Sequence, residues 1–95
     1  MNKITIQHDT DLQRFVVSVD GNEAELTYSR VDDSTLEYDH TYVPDVFRGR
    51  GIGARLVRHA LEYARENGYS VVPKCPFVSE FVNRKPEYAD VLAEE

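Results

Sequence analysis

A glycine- and arginine-rich stretch at residues 43–56 carries the clearest chemical pattern in this sequence. It reads V-P-D-V-F-R-G-R-G-I-G-A-R-L, in a chain whose formal net charge is −6. Glycine permits left-handed dihedrals and the close approach of a ligand to the backbone. The first turn of a helix leaves N–H groups without intrahelical partners at the positive end of the helix dipole. The stretch therefore predicts a site for a phosphorylated small molecule.

Cys75 is the second chemical feature, because it is the single cysteine of the chain. It follows Lys74 at the end of a predicted strand and precedes a predicted helix. A helix N-terminus and nearby cations lower the pKa of a thiol and favour the nucleophilic thiolate. Lone cysteines are also commonly buried small apolar residues, so both interpretations stay open. One cysteine excludes an internal disulfide, and we expect no metal site.

Composition narrows the class of protein. With 95 residues and 41% hydrophobic content, we expect a single domain spanning residues 1–95. A pI of about 5.0 disfavours nucleic acid as a partner, since that would need a basic face. The sequence has no apolar run of about 18 residues and no signal-peptide core. We therefore expect a cytoplasmic protein with no membrane partner.

Period-two alternation of apolar residues predicts a four-stranded antiparallel meander in the first half of the chain. The predicted strands cover residues 3–7, 14–20, 23–31 and 35–43. Residues 8–11 are predicted to form a turn. In the fourth strand, one face is predicted to carry Leu36, Tyr38, His40 and Tyr42.

The second half of the chain changes to a helical period at Ile52, and Gly68 is expected to end that helix. A fifth strand at residues 69–74, a short helix at 77–83 and a helical turn at 86–92 complete the predicted α+β fold. The strand–helix–strand unit implies that the fourth and fifth strands are parallel. Pro73 cannot donate a ladder hydrogen bond, so we expect these strands to part near Val43 and Pro73. A ligand could enter there.

Together these features resemble the GNAT superfamily of acetyl-CoA-dependent N-acetyltransferases, whose pyrophosphate signature is Gln/Arg-x-x-Gly-x-Gly/Ala. The chain meets that signature with R-G-R-G-I-G at residues 48–53. It looks most like the minimal branch of the superfamily, whose members share H-T-Y-V-P before the loop and V-V-P-K-C-P-F-V after the helix. Larger members have one or two helices between their first two strands, where this chain has only residues 8–13. The acceptor pocket is therefore not defined by the resemblance.

The resemblance implies acetyl-CoA as co-substrate and transfer of its acetyl group to an amine, either a small molecule or a protein lysine. Val43 would bind the pantetheine through its backbone, and Asn83 would lie near the CoA sulfur. Cys75 would carry an acetyl-enzyme intermediate, and Tyr88 would protonate the leaving thiolate. The pyrophosphate would be held by Arg48, Gly49, Arg50, Gly51, Ile52 and Gly53. We expect a monomer or a homodimer.

Direct attack of the amine on the thioester is the alternative mechanism, and it needs a general base. Histidine is the side chain best suited to this role near neutral pH, which makes His40 the first candidate, beside Glu37 and Asp39. A partly buried histidine with satisfied hydrogen bonds is the competing interpretation of His40.

Other classes of protein also stay open. The spacing Gly49-x-Gly51-x-x-Ala54 fits a dinucleotide-binding fingerprint, but that fold needs an acidic residue at the end of the next strand, where this chain has Lys74. A non-catalytic CoA-binding or protein-interaction module on the same fold is the main alternative function. The loop could also be a tight strand-to-helix connection without a ligand.

Overall fold

The computed structural model describes residues 4–93, which form an α+β fold of five strands and two α-helices. Two 3₁₀ segments, Asp45–Phe47 and Pro86–Val91, precede α1 and follow α2, respectively. The strands and helices in chain order are β1 Ile6–Asp9, β2 Arg14–Val19, β3 Asn22–Asp32, β4 Thr35–Tyr42, α1 Ile52–Glu66, β5 Ser70–Pro73 and α2 Pro76–Arg84. None of the helices among these residues is long and apolar enough to cross a membrane.

The sheet has the strand order β1-β2-β3-β4-β5. Neighbouring strands from β1 to β4 are antiparallel, whereas β5 pairs in parallel with β4. This topology confirms the predicted meander and the predicted parallel pair. The first strand is shifted along the chain from its predicted position and runs from Ile6 to Asp9. His8 and Asp9 pair with β2 instead of forming the predicted turn. Lys3, which the sequence placed in that strand, lies outside the described residues.

Helix α1 covers one face of the sheet, here called the inner face, whose residues include Phe15, Leu26 and Tyr38. The helical stripe read from the sequence is buried as predicted, from Ile52 at 1% exposure to Ala64 at 0%. The Tyr38 hydroxyl donates a buried hydrogen bond to the Ala60 carbonyl and so ties β4 to the middle of α1. Burying each large apolar side chain in this layer contributes roughly 1.5–3 kcal/mol.

A β-bulge interrupts the pairing of β3 with β4. Thr27 pairs with His40 and Tyr28 pairs with Tyr38, so Asp39 has no partner of its own in the register. An extra residue changes which side chains face which side of a strand. The prediction that His40 and Tyr42 share the face of Tyr38 is therefore wrong. Both lie on the opposite, outer face.

The parallel pair separates earlier than the sequence suggested. Tyr38 and Pro73 are the last residues in register, and the Cys75 amide then donates to the Tyr38 carbonyl at 3.0 Å. Pro73 ends the pairing as predicted, but β4 leaves β5 after Tyr38 and not near Val43. The opening between the strands therefore runs from Tyr38 to the C-terminal end of β4.

On its other edge, β5 is joined by residues that follow the second 3₁₀ segment. Val71 forms a parallel bridge with Leu92, and the Ala93 amide donates to the Val71 carbonyl at 2.8 Å. The predicted helical turn at residues 86–92 is thus a 3₁₀ segment that ends at Val91, followed by extended chain.

Candidate functional site

A loop between β4 and α1 contains the predicted phosphate-binding residues. Phe47 anchors it, since its side chain is 2% exposed within the core. The Arg48 amide donates to the Asp45 carbonyl at 2.9 Å, and the Arg50 amide donates to the Phe47 carbonyl at 3.2 Å. These two amides are therefore used to shape the loop.

The other four amides of the predicted cradle remain available. Within residues 4–93, the N–H groups of Gly49, Gly51, Ile52 and Gly53 have no hydrogen-bond acceptor. Gly49 has a φ of 79° and Gly51 a φ of 70°, which are left-handed values that cost other residues about 1–2 kcal/mol. No atom lies within 4 Å of the position that a Cβ would take at either glycine. The loop thus presents backbone donors at the N-terminus of a 15-residue helix beside open space.

Gly53 also has a packing role, in addition to the binding role predicted for it. A Cβ there would lie 2.6 Å from Phe77 Cζ and 3.2 Å from Val43 Cγ2. The missing side chain is therefore needed for α1 to pack against α2 and the end of β4. The ring of Phe77 is still 44% exposed, so it borders both the core and the surface of the loop.

Two arginines of the loop extend into solvent. Arg48 forms an ion pair with Asp45 at 2.9 Å, with side chains 81% and 91% exposed. Arg50 is also exposed and has no ion pair within the described part of the chain. Both side chains could turn towards an anion on the loop, and an exposed pair such as Arg48–Asp45 is readily exchanged for a phosphate contact.

A groove of about 300 Å³ lies beside this loop, between the first turn of α1 and α2. Its floor is largely aromatic and its rim carries charges of both signs. The lining residues are Ala54, Phe77, Glu80, Phe81, Arg84 and Lys85. An elongated ligand with a flat ring and phosphate groups would match this combination.

Cys75 is the residue that precedes α2, and it is 6% exposed. Its Sγ lies 3.5 Å from Thr41 Oγ1. Burial raises the pKa of the thiol, but the Thr41 hydroxyl and the backbone N–H groups of Val78 and Phe77 outweigh burial and hold the pKa below its ordinary value. Sγ does not form a capping hydrogen bond of ordinary geometry with either N–H group. The two N–H groups therefore act on the sulfur through their dipoles, whose positive ends stabilise a negative charge. The arrangement favours a thiolate.

Val43 and Asn83 lie at opposite ends of the candidate site, Val43 beside the loop and Asn83 in the last turn of α2. Val43 is half-buried beside Gly53, at the end of the opening between β4 and β5. Asn83 is exposed in the last turn of α2, about 10 Å along the helix from its first residue. The structure thus brings Val43 to the loop and sets Asn83 apart from Cys75.

His40 is exposed on the outer face of β4, whereas Cys75 contacts Thr41 on the inner face. The two candidates lie on opposite sides of the strand. The role predicted for His40 as a base stays a prediction. It would require an acceptor that reaches both sides of the opening.

Tyr88 lies in the second 3₁₀ segment and is 2% exposed. Its hydroxyl donates to Glu62 Oε2 at 3.0 Å, and the Arg65 guanidinium lies 5.1 Å from its ring centroid. Burial, followed by Glu62, raises its pKa. Glu62 is ten residues beyond Ile52, which is about 15 Å along α1. The role of Tyr88 as a proton donor stays a prediction, and these contacts give it a structural task.

Thr41 and Asp39 are the residues whose part in the site was not predicted. Simple alternation along β4 predicts Thr41 on the face opposite Tyr38, and the sequence indicates Asp39 only as a candidate base. The consecutive polar pair Asp39-His40 breaks the alternation of the strand, and it is the one signal in the sequence that could have indicated a bulge.

The comparisons with known proteins agree with this architecture. Residues 14–91 match the GCN5-related N-acetyltransferase family. Protein NATD1 of Xenopus tropicalis is 33% identical over 95 residues, covering 96% of this chain and 87% of that protein. N-acetylaspartate synthetase of Danio rerio is 46% identical over 44 residues, which is 46% of this chain and 16% of the relative.

A solution structure of a GCN5-like protein from Staphylococcus aureus shares the fold. The TM-score is 0.78 and the sequence identity 31%, with coverage of 100% of this chain and 93% of the other. The pyrophosphate signature, the helix that follows it and the parting of two parallel strands all lie within the matched region. The chain therefore belongs to the GCN5-related N-acetyltransferase family.

Proposed function

We propose that residues 1–95 act as a minimal domain that binds acetyl-CoA and transfers its acetyl group to an amine through Cys75. The observation that carries the proposal is the set of four unpaired amides at Gly49, Gly51, Ile52 and Gly53. These donors lie at the start of α1, where the helix dipole favours an anion. The CoA pyrophosphate would accept from them, while Arg48 and Arg50 neutralise its charge.

The residues around the loop fit the remaining parts of CoA. The adenosine would lie in the aromatic groove beside Phe77 and Phe81, with Arg84 and Lys85 available to a phosphate. The pantetheine would enter the opening between β4 and β5 and bind the backbone of Val43. A thioester that follows this path reaches the end of β5, where Cys75 lies.

The chemistry supplied by this chain is that of a thiolate nucleophile. Sγ attacks the carbonyl carbon of the thioester, so that an Sγ–C bond forms, the bond from that carbon to the CoA sulfur breaks, and CoA leaves as a thiolate that takes a proton from solvent. The neutral amine then attacks acetyl-Cys75, an N–C bond forms, the Sγ–C bond breaks, and the surplus proton of the amine passes to solvent. The acceptor we favour is cationic before it loses its proton, because the chain carries a net charge of −6.

A second candidate function is a CoA-binding module without catalysis. The observation that favours it is the burial of the Cys75 side chain, since a residue that is 6% exposed must be uncovered before it can react. Both functions require CoA to bind at the loop. They differ in whether an acetyl group ever reaches Cys75.

Mass spectrometry of the intact protein after incubation with acetyl-CoA separates the two functions. We expect one added acetyl group that neutral hydroxylamine removes, because hydroxylamine cleaves a thioester and spares an acetylated lysine. The adduct should be absent in Cys75→Ala. Binding of CoA to Cys75→Ala without any adduct on the wild-type protein would favour the non-catalytic module.

The loop is tested by calorimetry with CoA. We expect Arg50→Gln to weaken binding about fivefold, the equivalent of about 1 kcal/mol. Arg58→Gln is the matched control, because Arg58 is exposed on α1 outside the loop. Equal affinities in the wild-type protein and the two variants would show that Arg50 does not contribute to CoA binding. A protein that binds neither CoA nor acetyl-CoA would refute the proposed function.

A further inference from the structure

We propose that Thr41 is a positioning residue for Cys75, brought to the inner face of β4 by the bulge at Asp39 and His40, and that its hydroxyl stabilises the Cys75 thiolate. The inference rests on the proposed function of Cys75 as the nucleophile. It assigns a task to a threonine and to a bulge that lie outside the pyrophosphate signature at residues 48–53.

The register of the sheet places the Thr41 side chain. Thr41 pairs with Leu26, which is fully buried on the inner face. Before the bulge, the inner positions of β4 are Leu36 and Tyr38. Without the extra residue, simple alternation would place His40 on that face and Thr41 on the outer face. The bulge is thus the reason that a hydroxyl, and not an imidazole, meets the thiol.

Hydrogen bonds on the outer face hold the bulge in place. Asp39 accepts from the Thr27 hydroxyl at 2.7 Å and from the Ser29 hydroxyl at 3.0 Å. Both donors belong to β3, so they fix the unpaired residue of β4 against its neighbour. Charged acceptors make stronger hydrogen bonds than neutral ones, which suits Asp39 to this task.

The contact between Thr41 and Cys75 works in both protonation states of the thiol. As a neutral thiol, Sγ donates to Thr41 Oγ1 across 3.5 Å. When Sγ loses its proton to solvent, the hydroxyl can rotate and donate instead, because a hydroxyl is both donor and acceptor. Thr41 has no other side-chain hydrogen bond within residues 4–93. Its hydroxyl is therefore free to follow the state of the sulfur.

Ionised side chains on the elements packed around Cys75 are engaged elsewhere. Lys74 Nζ lies 3.9 Å from Glu37 Oε2, and Glu80 on α2 pairs with Arg84 at 3.5 Å. Asp39 and His40 of β4 face outwards, and Tyr38 is bonded to α1. The main influences on the pKa of the thiol are burial and nearby hydrogen-bond donors. Among these donors, the Thr41 hydroxyl is the one that belongs to a side chain.

The test measures alkylation of Cys75 by iodoacetamide as a function of pH. The midpoint of the profile reports the pKa of the thiol. Restricted access of the reagent to Sγ slows the reaction by the same factor at every pH and so leaves the midpoint in place. We expect Thr41→Val to raise the midpoint by about one pH unit, because a hydrogen bond to a charged group is lost. Thr41→Ser, which keeps the hydroxyl, should stay close to the wild-type midpoint.

Two further variants keep the test decisive. Thr41→Ala replaces Thr41→Val if the bulkier side chain prevents folding. Asp39→Ala should also raise the midpoint, whereas Glu23→Gln, on the outer face of β3, should leave it unchanged, because Glu23 pairs with Arg14 and Ser18 of β2. Identical midpoints in the wild-type protein, Thr41→Val and Thr41→Ala would overturn the inference. A raised midpoint in a protein that never acquires an acetyl group would retain the role of Thr41 and reject the nucleophile.

Discussion

Cys75 combines two properties that seldom occur together, near-complete burial and a pKa below that of an ordinary thiol. Burial alone would raise the pKa, and the Thr41 hydroxyl and two N–H groups at the start of α2 reverse that effect. Because the pKa is lowered, thiolate forms at a lower pH than in a free cysteine. Reactions of Cys75 should therefore reach their full rate at a correspondingly lower pH.

Tyr88 provides the residue-scale prediction that separates a structural from a catalytic role. In Tyr88→Phe, the hydrogen bond to Glu62 is lost while the ring stays packed below Arg65. We expect the free energy of unfolding to fall by about 1 kcal/mol, with acetylation of Cys75 unchanged. Urea denaturation and the intact-mass assay measure these two quantities.

One result would contradict a purely structural role for Tyr88. A variant as stable as the wild-type protein, in which acetylation of Cys75 by acetyl-CoA is slowed, would restore the proton-donor role. Glu62→Gln is a second variant, because it keeps an acceptor for the hydroxyl while it removes the ion pair of Glu62 with Arg65 at 3.1 Å.

Prediction from sequence succeeded at the residue scale where a role depends on the backbone. Gly49 and Gly51 could be assigned because left-handed dihedrals are a property of the residue type. Thr41 and Asp39 could not, since their places depend on Thr27 and Ser29 of another strand. For Tyr88, the partner Glu62 lies 26 positions away in the chain, and no local pattern indicates such a pair.

Helix α1 and the loop before it form the element that joins the fold to the site. The helix was predictable along its whole length, since its apolar stripe has the helical period and Gly68, with a φ of 75°, ends it. The opening between β4 and β5 was predictable only at the Pro73 end. Proline fixes that end locally, whereas the other end depends on where Cys75 bonds to Tyr38.

Gly53→Ala tests how closely α1 must approach α2. A Cβ would meet the ring of Phe77 at 2.6 Å, and the exposed ring can swing outwards at the cost of its packing. We expect the free energy of unfolding to fall by about 1 kcal/mol, less than in a rigid core. Thermal or urea denaturation provides the measurement.

The double variant supplies the control for Gly53. In a Phe77→Ala background the ring is absent, and alanine is favoured over glycine within a helix by roughly 0.5–1 kcal/mol. Gly53→Ala should therefore become neutral or stabilising there. The same loss of stability in both backgrounds would show that the conflict lies with Val43 and not with Phe77.

At the scale of the whole molecule, an aromatic cluster around His8 ties the edge strand β1 to the rest of the fold. His8 stacks on Phe15 with ring centroids 4.2 Å apart, contacts Tyr63 of α1, and is hydrogen bonded to the Tyr28 hydroxyl. Burial, followed by the nearby His59, lowers the pKa of His8 from 6.5. The folded state thus favours the neutral imidazole.

Stability should therefore depend on pH through His8. Below pH 6.5 the unfolded chain binds a proton at His8 before the folded chain does, so stability rises with pH in this window and is lost as pH falls through the lowered pKa. We expect the free energy of unfolding to decline between about pH 7 and pH 5, and to decline less in His8→Gln. Denaturation curves across this range measure the effect.

Gln7→Ala is the matched control for this pH dependence, because Gln7 is exposed on β1 beside His8 and has no titratable side chain. It should leave the slope of stability against pH as it is in the wild-type protein. The role assigned to His8 would be refuted by equal slopes in the wild-type protein and His8→Gln.

The bridge from Val71 to Leu92 makes β5 an inner strand, since β4 lies along one side and the chain after the second 3₁₀ segment lies along the other. Strand β1, by contrast, pairs within the described residues only with β2. Fraying and proteolytic nicking begin where a sheet has fewest neighbours. The molecule should loosen from the β1 side first, so the part that carries Cys75 would be the last to come apart.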